Sequence, residues 1–152
     1  MKRLTILVVP LLILALSLGA VACGGGAGDE GQVTDLMKRQ VRAFNDKDWY
    51  TAYETMSPNY RATFPYEDFT EYSEAAWALW LAAFGPGKLE VTDISVRVEG
   101  EWAYATLKFL WNGDVVHAYT SASPDIYRKV NDRWYDVAED PMEPGYNVDD
   151  VP

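Results

Sequence analysis

Asp136 and Tyr127 are the residues through which this chain could do chemistry. Asn131-Asp132 reads as a two-residue loop between short strands at 125–130 and 133–137. Across such a loop Asp136 shares a strand face with Trp134, and Tyr127 stands opposite. If Trp134 points into the body of the protein, a carboxylate and a phenol meet in apolar surroundings. Such a pair can do general acid–base work, because burial moves the protonation equilibria of both groups. The plainer alternative leaves Asp136 in solvent, since acidic side chains are rarely buried unpaired. Tyr53, Tyr60, Trp77, Trp80 and Trp134 are candidates for the lining of a ligand pocket, with ordinary core packing as the alternative for the helical ones.

Other chemistries lack their residues or their spacing. Gly85-Pro86-Gly87-Lys88 does not have the spacing of a phosphate-binding loop. No His or Cys cluster has metal-ligand spacing, and the carboxylates of EDPMEPGYNVDD, residues 139–150, do not follow the order of a calcium loop. No cofactor and no metal is expected. Asp46 and Asp48 read as turn and cap residues. The formal net charge of −10 argues against nucleic acid, whose phosphates require basic patches, and against adhesion to anionic lipid headgroups.

The elements that must position the pair follow from periodicity. Val33, Leu36, Met37, Gln40, Val41 and Phe44 form one stripe of an amphipathic helix. Asn45-Asp46-Lys47-Asp48 breaks it, and Asp48 can cap a second short helix bearing Trp49, Ala52, Tyr53 and Met56. Ser57-Pro58-Asn59 stops that helix, and 60–65 reads as a connector. A third long helix follows, with Glu67 and Asp68 at the positive end of its dipole and Gly85-Pro86-Gly87 at its end. From Leu89 the period becomes two. Asn112-Gly113 predicts a type I′ hairpin between 102–111 and 115–121. Its register sets Phe109 opposite Val116 and Leu107 opposite Ala118 on the inner face. His117, the only histidine, then lies outside beside Lys108, and Tyr119 lies outside beside Thr106. A Ser-His-Asp arrangement would have to use His117 and is not expected. Helices first and an antiparallel meander second give an α+β fold, the helices packed on one face of a curved sheet.

The order of these elements, with AFNDKDWYTAYETMSPNY early and NDRWYDV late, resembles the nuclear transport factor 2-like superfamily, including its SnoaL-like members. The residues that carry the resemblance are Phe44, Asn45, Asp48, Trp49, Tyr53, Met56 and Ser57. It covers roughly residues 32–138. It implies a cone of three N-terminal helices on a curved sheet, with a mouth that often holds a small apolar ligand. It also implies two uses. One is a non-enzymatic binding module, for a small apolar molecule in the cone or for a protein partner or second copy on the outer sheet face, which would carry Trp102, Tyr104 and Tyr119. The other is a small isomerase, dehydratase or cyclase in which Asp136 is the base and Tyr127 the acidic donor.

The start of the chain carries a separate signal. Met1-Lys2-Arg3 precedes an uncharged run at 4–18, and Ala20-Val21-Ala22 has the small-x-small pattern of a signal-peptidase site. Cys23, the only cysteine, follows at once, so it has no partner for a disulfide within the chain. Small residues before a cysteine resemble the lipobox of bacterial lipoproteins, in which the thiol is lipidated and the signal removed. The alternatives are plain secretion and an uncleaved anchor, neither of which gives the cysteine a purpose. The expected organisation is a signal peptide at 1–22, a lipidated Cys23 with a glycine-rich tether to residue 31, a domain at 32–138 and an acidic, proline-containing tail at 139–152. The expected location is extracytoplasmic, held to a bacterial membrane by the lipid. Cys23→Ser is therefore expected to move the protein from the membrane fraction to the soluble one. Undiminished membrane retention would exclude the lipid as the anchor.

Overall fold

The computed structural model describes residues 28–137. The signal-like run, Cys23, most of the glycine stretch and the tail at 139–152 lie outside the described residues. Four helices come first: α1 Asp29–Asp46, α2 Trp49–Tyr53, α3 Pro58–Thr63 and α4 Tyr66–Phe84. Five strands follow: β1 Leu89–Glu99, β2 Trp102–Trp111, β3 Asp114–Tyr119, β4 Asp125–Val130 and β5 Arg133–Asp136. The fold is α+β, helices followed by a curved antiparallel sheet.

The expected helix stripe is the one that packs. Val33, Leu36 and Met37 of α1 are buried against Ala103, Ala105 and Leu107 of β2 and against Tyr127 and Trp134. Each such aliphatic side chain contributes roughly 1.5–3 kcal/mol by leaving water. Asp48 caps α2 as expected, its carboxylate accepting from the Thr51 N–H at 3.0 Å. Two expectations need correction. Residues 60–65 are not a plain connector, because Ser57 accepts from the Tyr60 N–H and Pro58 starts a further short helix. The first helix begins at Asp29, inside the stretch expected to be tether. Asp29 has a reason to be ordered: its carboxylate accepts from Lys129 Nζ at 2.8 Å and from Trp134 Nε1 at 3.1 Å.

Strand β2 organises the sheet. Its whole length pairs with β1, while on its other edge Trp102–Ala105 pairs with β4 and Leu107–Trp111 with β3. β5 then pairs with β4. The Asn112-Gly113 loop has the expected left-handed φ values, 53° and 93°. The register beyond it differs from the expectation. Leu110 faces Val115, but an extra residue in β3 puts Phe109 opposite His117 and Leu107 opposite Tyr119. A bulge of one residue moves every later side chain to the other face. His117 and Tyr119 therefore belong to the inner face, not the outer one. Trp102 and Tyr104 do lie outside, each covered by a guanidinium, Arg128 at 5.1 Å and Arg97 at 5.0 Å.

Two contacts fasten the helices to the sheet near the hairpin end. Asn45 at the end of α1 acts like a strand residue: its Nδ2 donates to the Leu89 carbonyl at 2.8 Å, and its Oδ1 accepts from the Leu89 N–H at 2.9 Å. Asn112 similarly holds the Lys88 N–H and the Pro86 carbonyl, each at 3.1 Å. A side chain at Gly87 would collide with Asn112 and Trp111 at 2.5 Å, so only glycine permits this approach. Asn45→Ala would strand both backbone groups of Leu89. It is expected to cost about 2 kcal/mol in denaturant unfolding, and a loss near zero would show that Leu89 finds other partners.

Candidate functional site

The inner face of β2 reads Ala103, Ala105, Leu107, Phe109, Trp111, from small to large. At the small end α1 lies against the sheet. At the large end the rings hold α4 away: Trp77 and Trp80 meet the Trp111 ring edge-on, with centroids 5.6 and 5.9 Å apart. The gap between is a cavity of about 350 Å³, within the range of small-molecule sites. Tyr72, Ser73, Ala76, Trp77 and Trp80 supply the α4 wall, and Gln40, Val41 and Phe44 supply the end of the α1 stripe. The sheet supplies Phe109, His117, Tyr119, Asp125 and Asp136.

Asp136 is fixed by backbone on both sides. Its N–H donates to the Thr55 carbonyl at 2.9 Å, and its carbonyl accepts from the Ser57 N–H at 3.2 Å. Its side chain turns into the cavity, where Gln40 Nε2 donates to Oδ2 at 2.9 Å. Tyr127 is opposite Asp136 in the β4–β5 ladder. Its hydroxyl does not reach the cavity but donates to Asp125 Oδ2, one pleat along the same strand face. Burial first, and then the carboxylates of Asp125 and Asp136, push the Tyr127 phenol well above its ordinary value. Tyr127 therefore stays protonated as a fixed donor to Asp125 rather than as an acid exposed to a ligand.

Among the residues singled out from sequence, Tyr60, Trp77, Trp80 and Asp136 line the cavity. Tyr127 lies behind it. Tyr53 stands elsewhere: its buried ring has its hydroxyl donating to the Arg61 and Phe64 carbonyls, at 3.0 and 2.8 Å. Trp134 also stands apart, packed in the core under α1 with its indole N–H on Asp29. Among the wall residues that sequence reasoning did not assign to the cavity are Asp125, His117 and Tyr119. Asp125, only 5% exposed, could have been found by stepping two residues back from Tyr127. His117 and Tyr119 are placed by the bulge, for which the sequence carries no signal. The His117 ring stands edge-on to Tyr119 with centroids 4.7 Å apart, and remains exposed at the rim. Among the described residues no group of His, Cys, Asp and Glu could hold a metal ion, and no helix is long and apolar enough to cross a membrane.

No protein-family model matches the sequence, and no curated protein matches it. Solved structures similar to the chain include a protein of unknown function with a cystatin-like fold from Nostoc punctiforme. It is 15% identical, with 72% of this chain and 86% of that one covered, at a TM-score of 0.47. A protein of unknown function from Mycobacterium tuberculosis is 15% identical, with 69% of each chain covered and a TM-score of 0.48. A nuclear transport factor 2-like protein of unknown function from Pseudomonas putida is 14% identical, with 71% and 81% covered and a TM-score of 0.44. These are likenesses of fold alone.

The Tyr127 phenol has a consequence in alkali. A raised value in the folded state leaves stability unchanged below about pH 10 and erodes it as pH rises further, because the unfolded chain releases that proton more readily. In an ultraviolet titration the native protein should hold at least one of its ten tyrosines un-ionised where the unfolded chain has ionised all ten. Tyr127→Phe should remove that delayed step, and its persistence would assign it to another tyrosine.

Proposed function

We propose that this chain is a lipid-anchored extracytoplasmic protein with a nuclear transport factor 2-like domain, whose cone binds a small, largely apolar molecule without transforming it. The observation that carries the binding reading is the cavity itself. Its lining is mostly apolar, with Phe44, Tyr60, Trp77, Trp80 and Phe109 in it, and carries a few polar groups, among them Gln40, Asp125 and Asp136, which is the usual composition of a ligand site. The support for the anchor is the placement of Cys23 directly after an apolar, uncharged run and before a glycine-rich stretch.

A second reading, catalysis of isomerisation, dehydration or cyclisation, draws on the Asp136 carboxylate in the cavity wall. The position of Tyr127 weakens it. The expected acid partner donates to Asp125 from behind the wall, so it does not face the same ligand atom as Asp136. The catalytic reading thus loses the acid partner it was built on, and holding a ligand is the reading that needs no such partner.

The test fills the cavity from its rim. Ala76 is exposed on the α4 wall, so Ala76→Trp adds bulk there without opening the core. The wild-type protein should carry a co-purifying small molecule in native mass spectrometry. Ala76→Trp should lose it and keep the same unfolding midpoint. If the wild type carries nothing, and no member of a small-molecule library raises its melting temperature, the binding reading is wrong.

A further inference from the structure

We infer that the ligand of this cavity carries a cationic nitrogen on an apolar body, an inference that rests on the binding reading above. The wall holds two carboxylates, Asp125 and Asp136, and among the described residues that line it there is no lysine or arginine. The carboxylates are not on the rim. Asp125 is 5% exposed and Asp136 is half-buried, so a charge placed near them acts through a medium less polar than water and is felt strongly. The Tyr127 hydroxyl donates to Asp125 and Gln40 Nε2 donates to Asp136, and these two hydrogen bonds help to fix the direction of each carboxylate.

The rest of the wall selects the same chemistry. Tyr60, Trp77, Trp80, Phe109 and Tyr119 present ring surfaces, and the negative face of an aromatic ring attracts a cation. Phe109 and Tyr119 meet edge-on with centroids 6.2 Å apart, which makes a corner in the sheet wall. A carboxylate ligand would meet like charge on that wall. A neutral ligand would gain only its apolar contacts and a hydrogen bond. An ammonium group would gain the field of both aspartates and the rings, and its apolar body would fill the aromatic remainder. The chain's net charge of −10 adds a long-range preference of the same sign, raising the encounter rate of cations.

The experiment compares three probes with the same body: 4-phenylbutylammonium, 4-phenylbutanol and 4-phenylbutyrate. They are titrated in lipid-free buffer into the full chain carrying Cys23→Ser. Binding is read from the indole N–H resonances of Trp77 and Trp80, which confines the signal to the cavity and excludes loose attraction to the acidic surface. The ammonium should bind about tenfold more tightly than the alcohol, and the carboxylate most weakly. Asp136→Asn should reduce the preference for the ammonium over the alcohol several-fold. Asp125→Asn is the second variant, should Asp136→Asn fail to fold. If the alcohol binds as tightly as the ammonium, the charge assignment is overturned while the binding reading stands. If no probe shifts either indole at millimolar concentration, both are overturned.

Discussion

The structure depends on the depth to which α1 can settle into the concave face of the sheet. Val33, Leu36 and Met37 reach that face only because β2 offers Ala103 and Ala105 beneath them, both fully buried. Larger residues there would lift the helix and empty the core. Further along the same face Leu107, Phe109 and Trp111 grow in size, so the distance between helix and sheet layers widens. The cone is this gradient expressed in three dimensions. Its closed end is a packed core, and its open end is the cavity. The position of the cavity is thus a consequence of side-chain volume along one strand, set before any polar group is considered.

Much of this was legible in the sequence because it is carried by local rules. The α1 stripe, the Asp48 cap, the Asn112-Gly113 loop and the Asn131-Asp132 loop are each short-range signals with one physical meaning. The pairing of Tyr127 with Asp136 followed from the second loop and held. What the sequence did not show depends on contacts distant in the chain. Asp29 belongs to α1 because Lys129 and Trp134, a hundred residues later, accept it into an ion pair and an indole hydrogen bond. The bulge in β3 is the costlier omission. The hairpin loop fixes the register for Trp111–Asp114 and Leu110–Val115, but no local rule forbids one extra residue beyond them. The inner face rewards it, because the shift turns the Tyr119 ring towards Phe109.

The candidate site was half legible for a related reason. Asp136 could be placed by alternation from Trp134, yet the two residues do different work once α1 is present. Trp134 is covered by the helix, while Asp136 lies where the stripe passes Met37 and reaches Gln40, the first polar residue of the stripe to meet the sheet. The polar step in the stripe and the carboxylate in the strand answer each other. Tyr127 and Asp125 form the same kind of pair one strand further in. Burying a carboxylate and a phenol is costly unless each satisfies the other, and their hydrogen bond does this. The phenol thereby becomes part of the wall's support.

The α4 wall is held differently from the floor. Only Phe69 and Ser73 of this nineteen-residue helix are buried, while Leu79 is 72% exposed and Phe84 48%. The helix is fastened near its start by Phe69, whose ring packs with Tyr53 and Tyr60, and near its end by the tryptophan contacts and the Gly85–Gly87 turn. The stretch between spans the mouth with little packed behind it. Local stability follows buried apolar contact, so this wall should open at lower free energy than the α1 floor. The carboxylates sit on the rigid floor, where direction matters. The aromatic surface of Trp77 and Trp80 sits on the wall that yields more easily, the side from which the proposed ligand would enter. The division follows from the same gradient along β2, since the large residues that create the cavity also keep α4 from closing it.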